Sequence, residues 1–211
     1  MSRPPRFITL EGGDGAGKST QIRRLAAALE TRGIAVLATR EPGGSPGAED
    51  IRKLVLTGEP GRWDALTETL LMFAARSDHV AKAIKPALAS KTWVVCDRFT
   101  DSTYAYQGAG GGLARETIRR MESLVLDDFR PDLTFVLDLP VEAGIARTQG
   151  RRHAETRFES MGIEFHERLR QAFLAIARRE PERCIVIDAA ADEDMVAAAI
   201  WNTLAKRYKL R

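Results

Sequence analysis

The segment Gly12-Gly13-Asp14-Gly15-Ala16-Gly17-Lys18-Ser19, followed by Thr20, fits the pattern G-x-x-x-x-G-K-[ST]. Glycines at this spacing let backbone N–H groups turn inward around a phosphate, and a helix starting at the end of the loop adds its partial positive charge. Lys18 is then placed to reach the β- and γ-phosphates, and the Ser19 hydroxyl to hold Mg²⁺. Asp97, at the end of the apolar run Trp93–Cys96, is the natural carboxylate for the same ion.

Arginines make the second pattern. Arg40 leads into Glu41-Pro42-Gly43-Gly44, a tight turn; Arg52 follows on the next helical segment; Arg98 stands beside Asp97. A guanidinium makes paired hydrogen bonds to phosphate, so Arg40, Arg52 and Arg98 could ring a second phosphate group facing the first. A further run, Arg147, Arg151, Arg152, His153 and Arg157, lies between two helical patterns. The variable loop positions Gly13–Ala16 hold no arginine, so charge growing on a migrating phosphoryl group needs a cation besides Lys18 and Mg²⁺. An arginine carried by a closing lid would supply it. His79, His153 and His166 show no metal-ligand spacing.

These groups need a scaffold. Phe7–Leu10, Trp93–Cys96, Leu133–Leu137 and Cys184–Ile187 are short, continuously apolar runs, as expected of strands covered on both faces of a parallel sheet; Ile34–Thr39 is a weaker fifth. Ile22, Leu25, Ala26 and Leu29 mark one helix face, which Gly33 is placed to end. The stretch from Leu66 to Leu88 reads as two helices or one bent one, with Pro86 near its end. Thr117–Val125, Phe165–Ala177 and Met195–Leu204 show similar faces, and Gly108–Gly112 reads as a mobile loop. The alternation predicts an α/β domain with right-handed crossovers.

Composition sets the outer bounds. The chain has 211 residues, 44% hydrophobic and 29% charged, which at about 150 residues per domain suits one domain with a full core, residues 1–211. The absence of an apolar run of ~18 residues predicts no membrane span. The Met-Ser-Arg-Pro-Pro-Arg start is not a secretory signal, so a cytoplasmic location is expected. Cys96 and Cys184 offer neither a disulfide framework nor a C-x-x-C site, and a net charge of +3 does not predict nucleic-acid binding.

A phosphate loop alone separates little. The absence of an N-K-x-D guanine reader argues against a GTPase, and the loop has no earlier lysine of the partition-ATPase kind. Two readings remain beyond these: a nucleoside monophosphate kinase of some acceptor preference, and a nucleotide-gated ATPase that switches a partner.

Five segments in order resemble bacterial thymidylate kinases. They are Gly12–Thr20, Thr39-Arg40-Glu41-Pro42-Gly43-Gly44, Phe73-Ala74-Ala75-Arg76, Asp97 to Thr103 and Ala105-Tyr106-Gln107-Gly108; Arg130-Pro131-Asp132-Leu133 adds to them. The resemblance implies a three-layer α/β/α P-loop kinase fold with a five-stranded parallel sheet and a lid at about residues 147–159. It also implies transfer of the γ-phosphoryl group of ATP to dTMP with Mg²⁺, and a homodimer packed through helices. Thymine would meet Arg76 at its edge and Phe73 on its face, or Met72, which stands four residues before the arginine as in some family members. Pro42, Thr103 and Gln107 match acceptor-site positions, Tyr106 a residue crowding the sugar's 2′ side, and Asp14 an acceptor for the 3′-hydroxyl. In the lid, Arg151 or Arg152 would serve the phosphates, Arg157 would support them and Arg147 would pack on adenine; Thr156 stands where the family often has Asp.

Overall fold

A computed structural model of the chain describes residues 4–59, 61–148, 157–158 and 161–210. Five parallel strands, β1 (Phe7–Gly12), β2 (Val36–Arg40), β3 (Trp93–Asp97), β4 (Leu133–Asp138) and β5 (Cys184–Asp188), lie in the order β2-β3-β1-β4-β5. All five expected strands form: β3, β4 and β5 each gain their terminal Asp, β1 gains Glu11 and Gly12, and β2 begins at Val36 rather than Ile34 and gains Arg40. Register pairs Leu10 of β1 with Asp97 of β3, and Gly12 with Leu137 of β4. The chain leaves β1 toward β2 and leaves β3 toward β4, so a crevice opens beyond the carboxyl ends of β1 and β3, where open α/β sheets bind ligands.

The helices are α1 (Lys18–Glu30), α2 (Pro46–Leu56), α3 (Ala65–His79), α4 (Lys85–Ala89), α5 (Thr100–Thr103), α6 (Arg115–Leu126), α7 (Val141–Thr148), α8 (Ile163–Arg179) and α9 (Glu193–Tyr208). Ile22, Leu25 and Leu29 of α1 join Val196, Ile200 and Leu204 of α9 on Ile8, Leu10 and Phe135. Alternation along the strands sends Phe7 and Cys96 to the opposite face, with Val80, Ile84 and Phe99, and Val136 to Phe165, Leu169 and Phe173 of α8. Burying such side chains stabilises by about 1.5–3 kcal/mol each. Gly33, at φ +71°, ends α1 in the left-handed conformation that a side chain would strain. Asp64 caps α3 by accepting from the N–H groups of Leu66 and Thr67, both at 2.9 Å.

Of the two forms expected for Leu66–Leu88 the structure takes one, and the loop expected at Gly108–Gly112 is corrected. The Leu66–Leu88 pattern is one continuous run: α3 passes through a π-helical turn, Val80–Ile84, into α4. Pro86 lacks the N–H that an α-helical ladder needs there, and the wider turn accommodates this loss. The expected Gly108–Gly112 loop is instead largely π-helical, Tyr104–Gly110 continuing directly from α5. Its glycines serve close packing: a Cβ on Gly110 would stand 2.5 Å from the Phe165 ring.

Candidate functional site

The phosphate loop links β1 to α1. Gly15 has φ +78°, and a Cβ there would lie 2.3 Å from the carbonyl oxygen of Gly144 in α7, so both conformation and space require glycine. Lys18 bridges the loop from inside, donating to the carbonyls of Gly12 (3.2 Å) and Gly13 (2.8 Å). Burial and the neighbouring Arg98 charge lower its pKa, opposed by Asp97 and Asp14. The Ser19 hydroxyl donates to Asp97 Oδ2 at 2.9 Å, while the buried Asp97 Oδ1 has no hydrogen-bond partner. A hydroxyl beside a carboxylate with a spare oxygen is a donor set that fits Mg²⁺, which binds one or two protein oxygens plus phosphates and waters.

Arg98 follows β3 at φ +68° and is the hub of the crevice. Its Nη1 donates to the Gly12 carbonyl (2.9 Å) and Ser102 Oγ (3.1 Å), and its Nη2 to Asp14 Oδ1 (2.7 Å) and the Tyr106 hydroxyl (2.9 Å). Burial works against the guanidinium's charge, but Tyr106, Asp14 and Asp97 outweigh it and raise the pKa. Loss of hydration alone would raise the Asp14 pKa; Arg98, then Lys18, reverse this and hold the carboxyl below its usual range. The Tyr106 hydroxyl also donates to Asp14 Oδ2 at 3.1 Å.

A cavity of about 380 Å³ collects these groups: Asp14, Gly15, Gly17, Lys18, Ser19, Thr20 and Asp97 on the loop side, Arg40, Pro42, Arg52, Arg98 and Tyr106 across it, with Leu56, Met72 and Phe158. Arg52 donates to the Pro42 carbonyl at 2.7 Å, and Arg40 meets Glu49 at 3.1 Å. The three arginines expected around a second phosphate therefore line the same space as Lys18.

Four other expected residues form the layer behind. Arg76 is 2% exposed and donates to Glu41 Oε2 (2.7 Å), Thr103 Oγ1 (3.1 Å) and the Phe99 carbonyl (3.1 Å). The rings of Phe73 and Phe99 flank its guanidinium, 4.9 and 5.2 Å from their centroids. Gln107 is fully buried, gives its amide N–H to Glu68 (2.7 Å) and leaves Oε1 without a partner. Of the two stacking candidates, Met72 lines the cavity; Phe73 is 2% exposed and does not. Gly12 and Gly13 line a smaller space under the loop, and Ala16 is buried in the core. Arg147 reaches the Ala189 carbonyl at 3.1 Å, beyond β5. Arg157 is buried and paired with Glu68 of α3, rather than facing the phosphates. Arg151 and Arg152 lie outside the described residues.

A family model described as thymidylate kinase matches residues 10–200. A thymidylate kinase of Caulobacter vibrioides is 56% identical over 204 residues, 97% of this chain and 98% of the relative. The chain belongs to the thymidylate kinase family. Another family member, from Nitrobacter winogradskyi, is 53% identical over 98% of this chain and 90% of its own length. The crystal structure of thymidylate kinase from Ehrlichia chaffeensis superposes with a TM-score of 0.76 at 37% identity, covering 95% of this chain and 98% of that one. The α/β P-loop kinase fold and the nucleotide phosphotransferase class follow from this membership.

Several residues that shape the site carry no local signal. Glu11 is fully buried and accepts from the Phe99 N–H (2.7 Å) and Ser102 Oγ (2.6 Å), so it fixes the backbone that carries Arg98. Burial first, and Asp101 second, push its pKa up to about 8. Glu41 stands under Arg76 and also meets His79 Nδ1 at 3.0 Å; His79 Nε2 meets Thr39 Oγ1 at 2.8 Å. Arg183 holds Asp101 with two bonds of 2.7 and 2.8 Å, anchoring α5 from below. In sequence, Glu11 is only one of several acids that follow strands, and Glu41 only part of a turn.

Proposed function

We propose that this chain transfers the γ-phosphoryl group of ATP to dTMP, giving dTDP and ADP, with ATP on the phosphate loop and dTMP in the cavity facing it. The observation that carries this reading is the single cavity shared by Lys18 and the guanidinium groups of Arg40, Arg52 and Arg98. Two phosphate-binding surfaces that face each other suit in-line transfer, which depends on alignment and charge neutralisation more than on covalent chemistry. The acceptor phosphate is already anionic, so no general base is assigned.

Lys18 would exchange its carbonyl partners for the β- and γ-phosphates, and Arg98 would meet the acceptor phosphate. Ser19 and Asp97 would hold Mg²⁺, which neutralises phosphate charge when bound. On the nucleoside side, Met72 supplies an apolar contact for the base, with Arg76 and Gln107 as the polar layer behind it. Tyr106 is assigned to crowd a 2′-hydroxyl, and Asp14, hydrogen-bonded to Arg98 and Tyr106, to accept from the 3′-hydroxyl. Arg147 is assigned to adenine packing, and Arg151 or Arg152, on a lid at about residues 147–159 of a single domain, to the transferring phosphoryl group. Among the described residues no helix is long and apolar enough to cross a membrane. We assign the chain to the cytoplasm. We also assign a homodimer through the exposed apolar side chains of α3 and α6, Leu66, Leu70 and Leu124.

Coupled ADP release with ATP and Mg²⁺ against dTMP, dUMP, UMP, AMP, GMP and dCMP tests the reading. dTMP should dominate by at least tenfold in kcat/KM. ADP release indifferent to any monophosphate would favour the nucleotide-gated ATPase instead.

A further inference from the structure

Beneath the phosphate loop, sharing Asp14 and Thr148 with the lining of the substrate cavity, lies a small, partly open pocket of about 30 Å³, room for one or two water molecules. Its lining is mostly apolar, with polar groups from Asp14 of the loop, Asp138 of β4, Thr148 of α7, and His166 and Arg170 of α8. Arg170 is committed to Asp138 through a paired contact, Nε to Oδ1 at 2.7 Å and Nη2 to Oδ2 at 3.1 Å. His166 is different: it is 8% exposed and its Nε2 has no hydrogen-bond partner. An unpartnered buried polar atom is costly, and the pocket that His166 lines, although mostly apolar, has room and carboxylate partners in Asp14 and Asp138 for a bridging water that offsets that cost. Asp14 also feels the histidine, which joins Arg98 and Lys18 among the groups that hold its carboxyl down, as the smallest of the lowering influences.

The preceding residue reinforces this geometry. Phe165 packs edge-on against Tyr106, centroids 6.2 Å apart, and the Tyr106 hydroxyl bonds both Asp14 and Arg98. Neighbouring residues of the first turns of α8 therefore reach the same cluster by two routes, one through the Tyr106 ring and one through the pocket below Asp14.

We propose that His166 is a positioning residue for Asp14: through its Nε2 and a water held in the pocket that both residues line, α8 sets where the Asp14 carboxylate meets the acceptor's sugar. This rests on the reading that Asp14 accepts from the 3′-hydroxyl of dTMP. It assigns to α8 a part in acceptor recognition, although His166 touches neither substrate.

The test compares His166→Phe, His166→Gln and His166→Asn, each checked for melting temperature. Glutamine sets its amide near the position of Nε2, asparagine near Nδ1, so only glutamine can replace the proposed contact. Expected for His166→Phe is a loss of about tenfold in kcat/KM for dTMP, carried by KM, with KM for ATP within twofold of the parent. His166→Gln should recover most of that loss, whereas His166→Asn should not. With thymidine 5′-monophosphate lacking the 3′-hydroxyl, the penalty of His166→Phe should shrink below threefold. Parent-like kinetics in His166→Phe, equal losses on both acceptors, or equal behaviour of the glutamine and asparagine variants would overturn the proposal. If His166→Phe does not fold, the glutamine–asparagine contrast decides alone. Asp14→Asn serves as the separate control. An equal loss on both acceptors there would sink the 3′-hydroxyl reading itself, and the glutamine–asparagine contrast on dTMP would then judge His166.

Discussion

Replacing Arg98 by lysine keeps a positive charge in the crevice while removing the fork that spans it. Four of the five guanidinium N–H donors are used within the protein, on Gly12, Ser102, Asp14 and Tyr106. An acceptor phosphate must therefore take the remaining N–H and displace one of these partners. Lysine has three donors, so at least two charge-assisted bonds are lost at about 1.5–2 kcal/mol each. The sum, about 3–4 kcal/mol, corresponds to a fall in kcat of roughly 10²–10³-fold. Arg98→Ala should fall further, because it also leaves the Asp14 carboxylate facing the acceptor phosphate with only Lys18 and Tyr106 to offset its charge. Lys18, which shares the Gly12 carbonyl with Arg98, keeps its own reach to the ATP phosphates, so KM for ATP should stay within about threefold in both variants. The assay is steady-state ADP release at saturating ATP over a range of dTMP, with nucleotide binding to the free protein measured in parallel. A lysine variant within tenfold of the parent kcat, or losses expressed mainly in ATP affinity, would refute the reasoning.

Other substitutions separate stability from function. Gly15→Ala should lower stability by several kcal/mol, read as a large drop in melting temperature, because the new methyl meets the Gly144 carbonyl. Gly13→Ala, with open space around it, should melt close to the parent. Met72→Ala should raise KM for dTMP severalfold and, because the side chain is buried, also lower the melting temperature. Phe73→Ala should cost about 3–5 kcal/mol of stability with a smaller effect on KM, since its ring is buried against Arg76 and away from the cavity. Glu41→Gln leaves Arg76 and His79 without their buried carboxylate and should destabilise by about 3–5 kcal/mol in urea unfolding. Glu11, at 4.5 when unfolded and about 8 when folded, makes the native state bind the extra proton between those values. Its contribution to stability is therefore full below pH ~4.5 and is lost as pH rises through about 8, with a slope of up to ~1.4 kcal/mol per pH unit. In Glu11→Gln that part of the pH dependence should vanish; a parent-like profile would contradict it.

The phosphate loop, all five strands and most of the helix faces were legible locally because each depends on a few adjacent residues. Gly12–Ser19 follows backbone conformation, Phe7–Leu10 and Leu133–Leu137 follow burial on both faces, and Ile22, Leu25 and Leu29 follow helical period. The glycine run at 108–112 misled because glycine looks flexible in isolation; here it makes room for Phe165, some fifty-five residues later in the chain. The choice between Met72 and Phe73 was likewise undecidable from spacing, since both lie near one face of the same helix. Packing put Phe73 under Arg76 and left Met72 at the cavity.

The amino-acid order by itself determined that a phosphate would be cradled after the first strand and that arginines would follow two other strand ends. Only the tertiary structure decided which groups hold those arginines. Glu11 reaches Ser102 across 91 positions, Asp14 reaches Arg98 across 84, and Glu41 reaches Arg76 across 35. Such pairings are set by sheet order and by the exclusion of water between elements, and neither is written in any short stretch of the chain.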